Sequence, residues 1–237
     1  MLTESGQRFL LSHTTHRNTR QKNDETTIIY CSDVGLSILA GSNWWFADGT
    51  FDTSVKFQDD GFEQFYIIHG CYKNIVCACV FALLTNKTKE IYRNLISELK
   101  DGAARLKLKL EPQYVMLDFE AATIDAFLHH FTSIEIKLCH FHFGQNIFKK
   151  IVETGFKKHY SDDQDFKCWV KQFIALALIP PEEVEDAFVE LSINAPEGYD
   201  LRAFLDYVTI NYIDPATCLF PIKYWNHYNN YDSRTNN

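Results

Sequence analysis

No run of about 18 consecutive apolar residues occurs anywhere in this 237-residue chain, so no segment has the length that a membrane-spanning helix requires. Met1 to Leu11 is apolar for only a few residues at a time and lacks a small-residue cleavage site, so it does not read as a signal peptide. The seven cysteines (Cys31, Cys71, Cys77, Cys79, Cys139, Cys168 and Cys218) are odd in number and form no CxxC pair. Cys77 and Cys79 sit two apart in a strand-like run and read as packing. Buried free thiols in a reducing compartment account for the set, so an intracellular protein is expected. An excess of positive charge is also missing. The formal net charge is −8, whereas a domain that binds DNA unaided usually carries a basic face. The chain has no internal repeat, no low-complexity tract, and no zinc-finger spacing before Trp44.

The basic residues that are present do cluster. Arg105, Lys107 and Lys109 form one group; Lys149, Lys150, Lys157 and Lys158 form another. The second could meet phosphates, and equally could be a solvated helix face.

Residues 13 to 27 are polar throughout and read as a loop or arm. Ile28 to Cys31 suggests a short strand, and Asp33 to Ala40 a short helix capped by Ser32 or Asp33. Trp44 to Ala47 is an apolar run leading into Asp48-Gly49-Thr50, a strand that stops near a tight turn. Phe65 to Tyr72 and Ile75 to Leu84, separated by Lys73-Asn74, suggest a hairpin. From Thr88, apolar residues recur at helical spacing (Ile91, Leu95, Leu99). Tyr114 to Leu117 reads as a buried strand closing on Asp118, followed by a helix over Glu120 to Phe131, a strand over Ile134 to Leu138 and a helix over His140 to Lys158. The order predicts an α/β fold: a mixed sheet of three antiparallel strands plus parallel strands, with helices on both faces. Beyond about Ser161 only helices are predicted. The expected organisation is a lead-in over 1–43, a core over 44–160 and an all-helical insertion over 161–237.

Asp48 and Asp118 each close a predicted strand. In an open α/β sheet, strand ends converge where ligands bind. If the two strands are neighbours, their carboxylates meet, repel each other and favour a shared divalent cation. Mg²⁺ is the natural one, with Mn²⁺ as an alternative, since it takes oxygen ligands and keeps water positions open for a phosphate. The plainer alternatives stand beside this: Asp-Gly is a common turn pair, and Asp118 could cap the next helix.

Several segments, in order, resemble the catalytic domain of MULE-type (Mutator-like element) DNA transposases. Trp45-Phe46-Ala47-Asp48-Gly49-Thr50-Phe51 resembles the family's first-aspartate strand, and Leu117-Asp118-Phe119-Glu120-Ala121-Ala122 its second-aspartate strand and helix. Cys139-His140-Phe141-His142-Phe143, with Gln145-Asn146 and Lys149-Lys150, resembles its C-x2-H block. Ala82-Leu83-Leu84-Thr85, Lys87 and Tyr92 fit the region between. The resemblance implies an RNase H-like fold, metal-dependent cleavage and transfer of DNA strands, Asp48 and Asp118 as catalytic metal ligands, DNA (transposon ends and target) as partner, a homo-oligomer and a nuclear or otherwise intracellular location. It also implies a third ligand, a glutamate, shortly after a Trp-Asn segment and an Arg-Thr-Asn-Asn segment. Trp225-Asn226 and Arg234-Thr235-Asn236-Asn237 match these, so that glutamate is expected beyond Asn237. The chain then reads either as a fragment of a longer transposase or as a decayed or domesticated remnant acting as a DNA- or protein-binding module.

Cys139 and His142 could form half of a zinc site, although structural zinc sites usually have four ligands. His140 and His142 could instead orient the active site or pack in the core. Glu120 could assist a metal, but its position at a helix start also suits the helix dipole. Glu182, Glu183, Glu185 and Glu190 read as solvated helix faces. Trp44, Trp45 and Phe46 are expected in the core; Tyr224, Trp225, Tyr228 and Tyr231 either pack or stack on unpaired bases.

Overall fold

A computed structural model describes residues 1–3, 6–18, 23–50 and 61–230. Phe51, Tyr231 and the Arg234 to Asn237 segment lie outside the described residues. The chain divides into two compact units, Met1–Ile136 and a second that begins at Lys137.

The first unit contains β1 (Leu10–Asn18), β2 (Asn23–Tyr30), α1 (Asp33–Ala40), β3 (Trp44–Thr50), β4 (Gln64–Tyr72), β5 (Ile75–Leu84), α2 (Lys89–Arg105), β6 (Tyr114–Leu117), α3 (Ala121–His130) and the start of β7 (Glu135–Leu138). Seven strands form one sheet in the order β1-β2-β5-β4-β3-β6-β7. The α/β class and mixed sheet therefore match expectation, but the antiparallel part has five strands, β1, β2, β5, β4 and β3, where three were expected. Most of the two additional strands comes from the segment read as a loop or arm, and β2 ends in the short strand expected from Ile28. The segment's polar side chains find partners that a sequence pattern does not reveal. The Thr15 and Thr26 hydroxyls pair across the strands at 3.0 Å. The buried Glu25 carboxylate accepts from Thr88 Oγ1 at 3.1 Å and from Asn86 Nδ2 at 3.3 Å. An edge hairpin held by its backbone ladder and such pairs needs no apolar alternation.

Local chemistry explains the other boundaries. Ser32 caps α1 by accepting from Gly35 N, and Thr88 caps α2 by accepting from Ile91 N. Along β4 burial alternates, with Gln64, Tyr66, Ile68 and Gly70 turned inward. That face meets the helices: α1 packs on β4 and β5, α2 on β1 and β2, and α2 against both α1 and α3. Within this unit the three helices form one contiguous layer. Trp45, fully buried, anchors β3 to that layer. Its indole Nε1 donates to Leu39 O at 3.1 Å, and its ring meets Phe131 edge-on at 5.6 Å.

Lys73 and Asn74 have φ of 50° and 62°, the left-handed pair that a tight two-residue hairpin requires. Asn tolerates this region; Lys is penalised by its Cβ. Lys73→Asn should therefore stabilise the protein by about 0.5–1 kcal/mol, less whatever is lost from the Lys73 ammonium over the Tyr72 ring. Thermal unfolding followed by circular dichroism should show a midpoint about 1–4 °C higher. A lower midpoint would mean that the lysine contact outweighs the turn strain.

The second unit is helical: α4 (His140–Glu153), α5 (Lys157–Asp162), α6 (Gln164–Ala175), α7 (Val184–Ile193), α8 (Arg202–Val208) and α9 (Ile222–Trp225). Gly155, at φ 90°, separates α4 from α5 inside a stretch that reads as one helix. Aromatic rings fill its core. Phe143 stacks on the fully buried Trp225 at 4.8 Å, and Phe173 meets Trp169 and Phe204 edge-on. Trp225 is thus a core residue, whereas Tyr228 is 42% exposed. Asn226 is also buried and donates to Ile179 O at 2.9 Å.

Candidate metal centre

β3 and β6 are parallel neighbours, with Phe46 opposite Met116. Side chains opposite each other in a ladder share a face, and the face repeats every second residue. Two residues on from that pair lie Asp48 and Asp118, so the register sends both carboxylates to the same side at adjacent strand ends. The condition that sequence reading could only assume, that these strands pair, is met. A carboxylate oxygen of each aspartate lies within 4.8 Å of the other, and both side chains are half-buried.

The two plainer readings of these residues do not describe the geometry. Asp48 and Gly49 are not a turn: they continue β3 and pair with Ile67 and Tyr66 of β4. Asp118 is not the cap of α3: the cap position is Glu120, and no side chain caps that helix. Two carboxylates this close repel while both are ionised and gain by sharing a cation. Two oxygens on one Mg²⁺ can be at most about 4.2 Å apart at bond lengths near 2.1 Å, a separation that a small side-chain rotation reaches. The pair fits a hard divalent ion with water in its remaining positions.

Behind the aspartates is a polar cluster that sequence periodicity does not signal. The Tyr92 hydroxyl is 2.6 Å from Gln64 Oε1 and 2.9 and 3.1 Å from the two oxygens of Glu120. Gln64 and Tyr92 are at most 1% exposed. Burial raises the Glu120 carboxyl above its usual range, and Asp118 pushes the same way; the Tyr92 hydrogen bond and the Lys87 charge oppose this. Burial likewise raises the phenols of Tyr66 and Tyr92, with Glu120 and Asp118 adding to both. Gln64 lies over Gly49, where an added Cβ would be 1.8 Å from Gln64 Nε2. The residue after Asp48 therefore has to be glycine if the amide is to stay where it is.

Cys139 is fully buried at the cap position of α4, and His142 is half-buried in the first turn of that helix. Among the described residues, Cys139 joins no group of three side chains spaced to hold a metal. His140 meets the buried His227 edge-on at 6.0 Å, and His227 Nε2 lies 2.8 Å from Leu138 O. His227 and its neighbour Asn230 escaped sequence analysis, hidden in an aromatic tail. The basic groups are mostly solvated: Arg105, Lys107, Lys109, Lys149, Lys157 and Lys158 are exposed, while Lys150 is half-buried over the Tyr207 ring at 5.1 Å. Glu182, Glu183, Glu185 and Glu190 are exposed, on α7 and the turn before it. Among the described residues, no helix is long and apolar enough to cross a membrane.

A mixed α/β sheet that brings two aspartates together from neighbouring strands defines the class: an α/β protein with a candidate divalent-cation site. Comparison with known families narrows that class. Residues 44–146 match the family model of the MULE transposase domain. The matched segment includes β3, β6 and both aspartates. No individually curated protein matches the chain.

Proposed function

We propose that this chain supplies the catalytic domain of a DNA transposase with an RNase H-like arrangement, in which Asp48 and Asp118 are the first two ligands of Mg²⁺ or Mn²⁺. The observation that supports this reading best is the meeting of the two carboxylates on one face of β3 and β6, inside the segment that matches the transposase family. Asp48 and Asp118 would hold a divalent ion, which would supply Lewis-acid activation of a water or 3′-hydroxyl and stabilise the attacking and leaving oxygens of an in-line displacement at phosphorus. The strand ends hold the two carboxylates in place, so little reorganisation accompanies the reaction. A glutamate C-terminal to the helical segment, as the family resemblance implies, completes the ligand set. DNA is the substrate, acted on by a homo-oligomer that brings two transposon ends together, in the nucleus. With a net charge of −8, DNA recognition is delegated to other parts of the assembly.

The test is Mg²⁺-dependent nicking and strand transfer by the full-length protein on a labelled duplex carrying the element's terminal repeats. Cleavage that requires Mg²⁺ or Mn²⁺ and stops on chelation is expected. DNA binding with no cleavage in either metal would replace this reading with that of a binding module that has kept the fold and lost the chemistry.

A further inference from the structure

Tyr92 joins the two polypeptide segments that carry the aspartates. On one side its hydroxyl meets Glu120, two residues after Asp118; on the other it meets Gln64, whose side chain lies on Gly49, the residue after Asp48. A phenol has one proton and cannot donate to Gln64 Oε1 and Glu120 together. Gln64 Nε2, fully buried, has no acceptor among the described residues. Turning the amide end for end meets both demands. Nε2 then donates to the Tyr92 oxygen, and the Tyr92 proton goes to the Glu120 carboxylate, giving one directed chain from Gln64 through Tyr92 to Glu120. A buried polar chain of this kind is no more stable than well-packed apolar side chains of the same volume. Its location suggests a role in holding geometry.

We propose that Tyr92 is a positioning residue of the metal centre: its hydroxyl ties the Asp118–Glu120 segment to Gln64 and Gly49, and so fixes the separation of Asp48 and Asp118. This rests on the reading of those aspartates as metal ligands. Groups that orient the ligands of a metal site typically contribute about 10–100-fold in metal affinity, and Tyr92 belongs with them.

The experiment measures Mn²⁺ affinity, by electron paramagnetic resonance of the free ion, on the chain as it stands and on its variants, each checked for folding by circular dichroism. Tyr92→Phe keeps the ring, with its packing on Tyr66 at 5.3 Å, and removes only the tie. It should weaken Mn²⁺ binding about 10-fold. Gln64→Met breaks the other arm of the tie and should act in the same direction; it decides the matter if Tyr92→Phe fails to fold. Combined with Asp118→Asn, Tyr92→Phe should cause no further loss. Tyr66→Phe is the control, because it removes a buried hydroxyl on the same sheet face that has no hydrogen-bond partner among the described residues. It should leave affinity within about twofold, well below the cost of losing an outer-sphere partner. Wild-type affinity in a folded Tyr92→Phe protein would overturn the positioning role while leaving the metal centre intact. Mn²⁺ binding that is absent, or indifferent to Asp48→Asn and Asp118→Asn, would overturn the metal centre itself.

Discussion

Asp48→Asn is expected to do two opposite things: remove divalent-metal binding and make the metal-free protein more stable. Asp118→Asn should behave the same way. The first effect follows from losing a ligand. Outer-sphere partners alone are worth about 10–100-fold in affinity, so losing an inner ligand should exceed about 100-fold, with Mg²⁺-dependent cleavage falling alongside. The second follows from repulsion. Two ionised carboxylates with oxygens within 4.8 Å, half in solvent, disfavour the folded state by on the order of 1 kcal/mol once screening is allowed for. Neutralising one should raise the metal-free melting point by about 2–4 °C. Saturating Mn²⁺ should reverse the order, because only the wild type then gains binding free energy. This crossover separates a metal centre from a structural role. If the aspartates merely held the fold together, the Asn variants would melt lower with or without metal, and their metal response would match the wild type.

What the sequence discloses, and what it hides, follows from where the physics is local. β3, the β4–β5 hairpin, α2 and β6 could each be read from an apolar run or stripe, bounded in two cases by its own punctuation: Lys73-Asn74 for the hairpin and Thr88 for the start of α2. The end of β6 ahead of Asp118 was legible for the same reason, whereas β3 runs two residues past Asp48, where its end was expected. The meeting of the two aspartates was not legible, because adjacency of β3 and β6 is a property of sheet order and depends on contacts about 70 residues apart in sequence. Most of the β1–β2 hairpin, all but the end of β2 from Ile28, was hidden for a different reason. Thr15 and Thr26 pair with each other, and Glu25 with Asn86 and Thr88 ahead of α2, so no apolar alternation marks it. The Gln64–Tyr92–Glu120 chain combines both difficulties. Gln64 looks like a polar lead-in to β4, Tyr92 looks like one more member of the α2 apolar stripe, and Glu120 looks like a charge placed for a helix dipole. Each local reading is sound, and only the packing of α2 against the sheet and α3 brings the three polar groups together. Family resemblance identified the aspartates but assigned no role to this support.

Trp45→Ala is the substitution expected to cost the most stability, and the reason bears on the metal centre. Trp45, Phe46 and Trp44 are consecutive on β3, so they alternate between faces, and they are not equivalent. Trp45 is fully buried against the helical layer, with its indole nitrogen on Leu39 O and its ring on Phe127 and Phe131. Trp44 is half-buried on the opposite face, stacked on Tyr114 at 4.6 Å. Truncating a buried Trp to Ala typically costs about 3–5 kcal/mol, a large part of the roughly 5–15 kcal/mol by which a typical domain is stable. Trp45→Ala should therefore lower the melting point by roughly 6–20 °C, and Trp44→Ala by much less, because part of its surface stays in solvent. Trp45 lies three residues before Asp48 and is the main anchor between that strand and α1 and α3. A protein folded at low temperature with this anchor gone should keep both aspartates yet hold them loosely. Mn²⁺ affinity should then fall further in Trp45→Ala than in Trp44→Ala, even though Trp44 lies on the same face as the aspartates. Equal losses in the two variants would instead place the support of Asp48 in the strand pairing of β3 with β4 and β6, and not in its attachment to the helices.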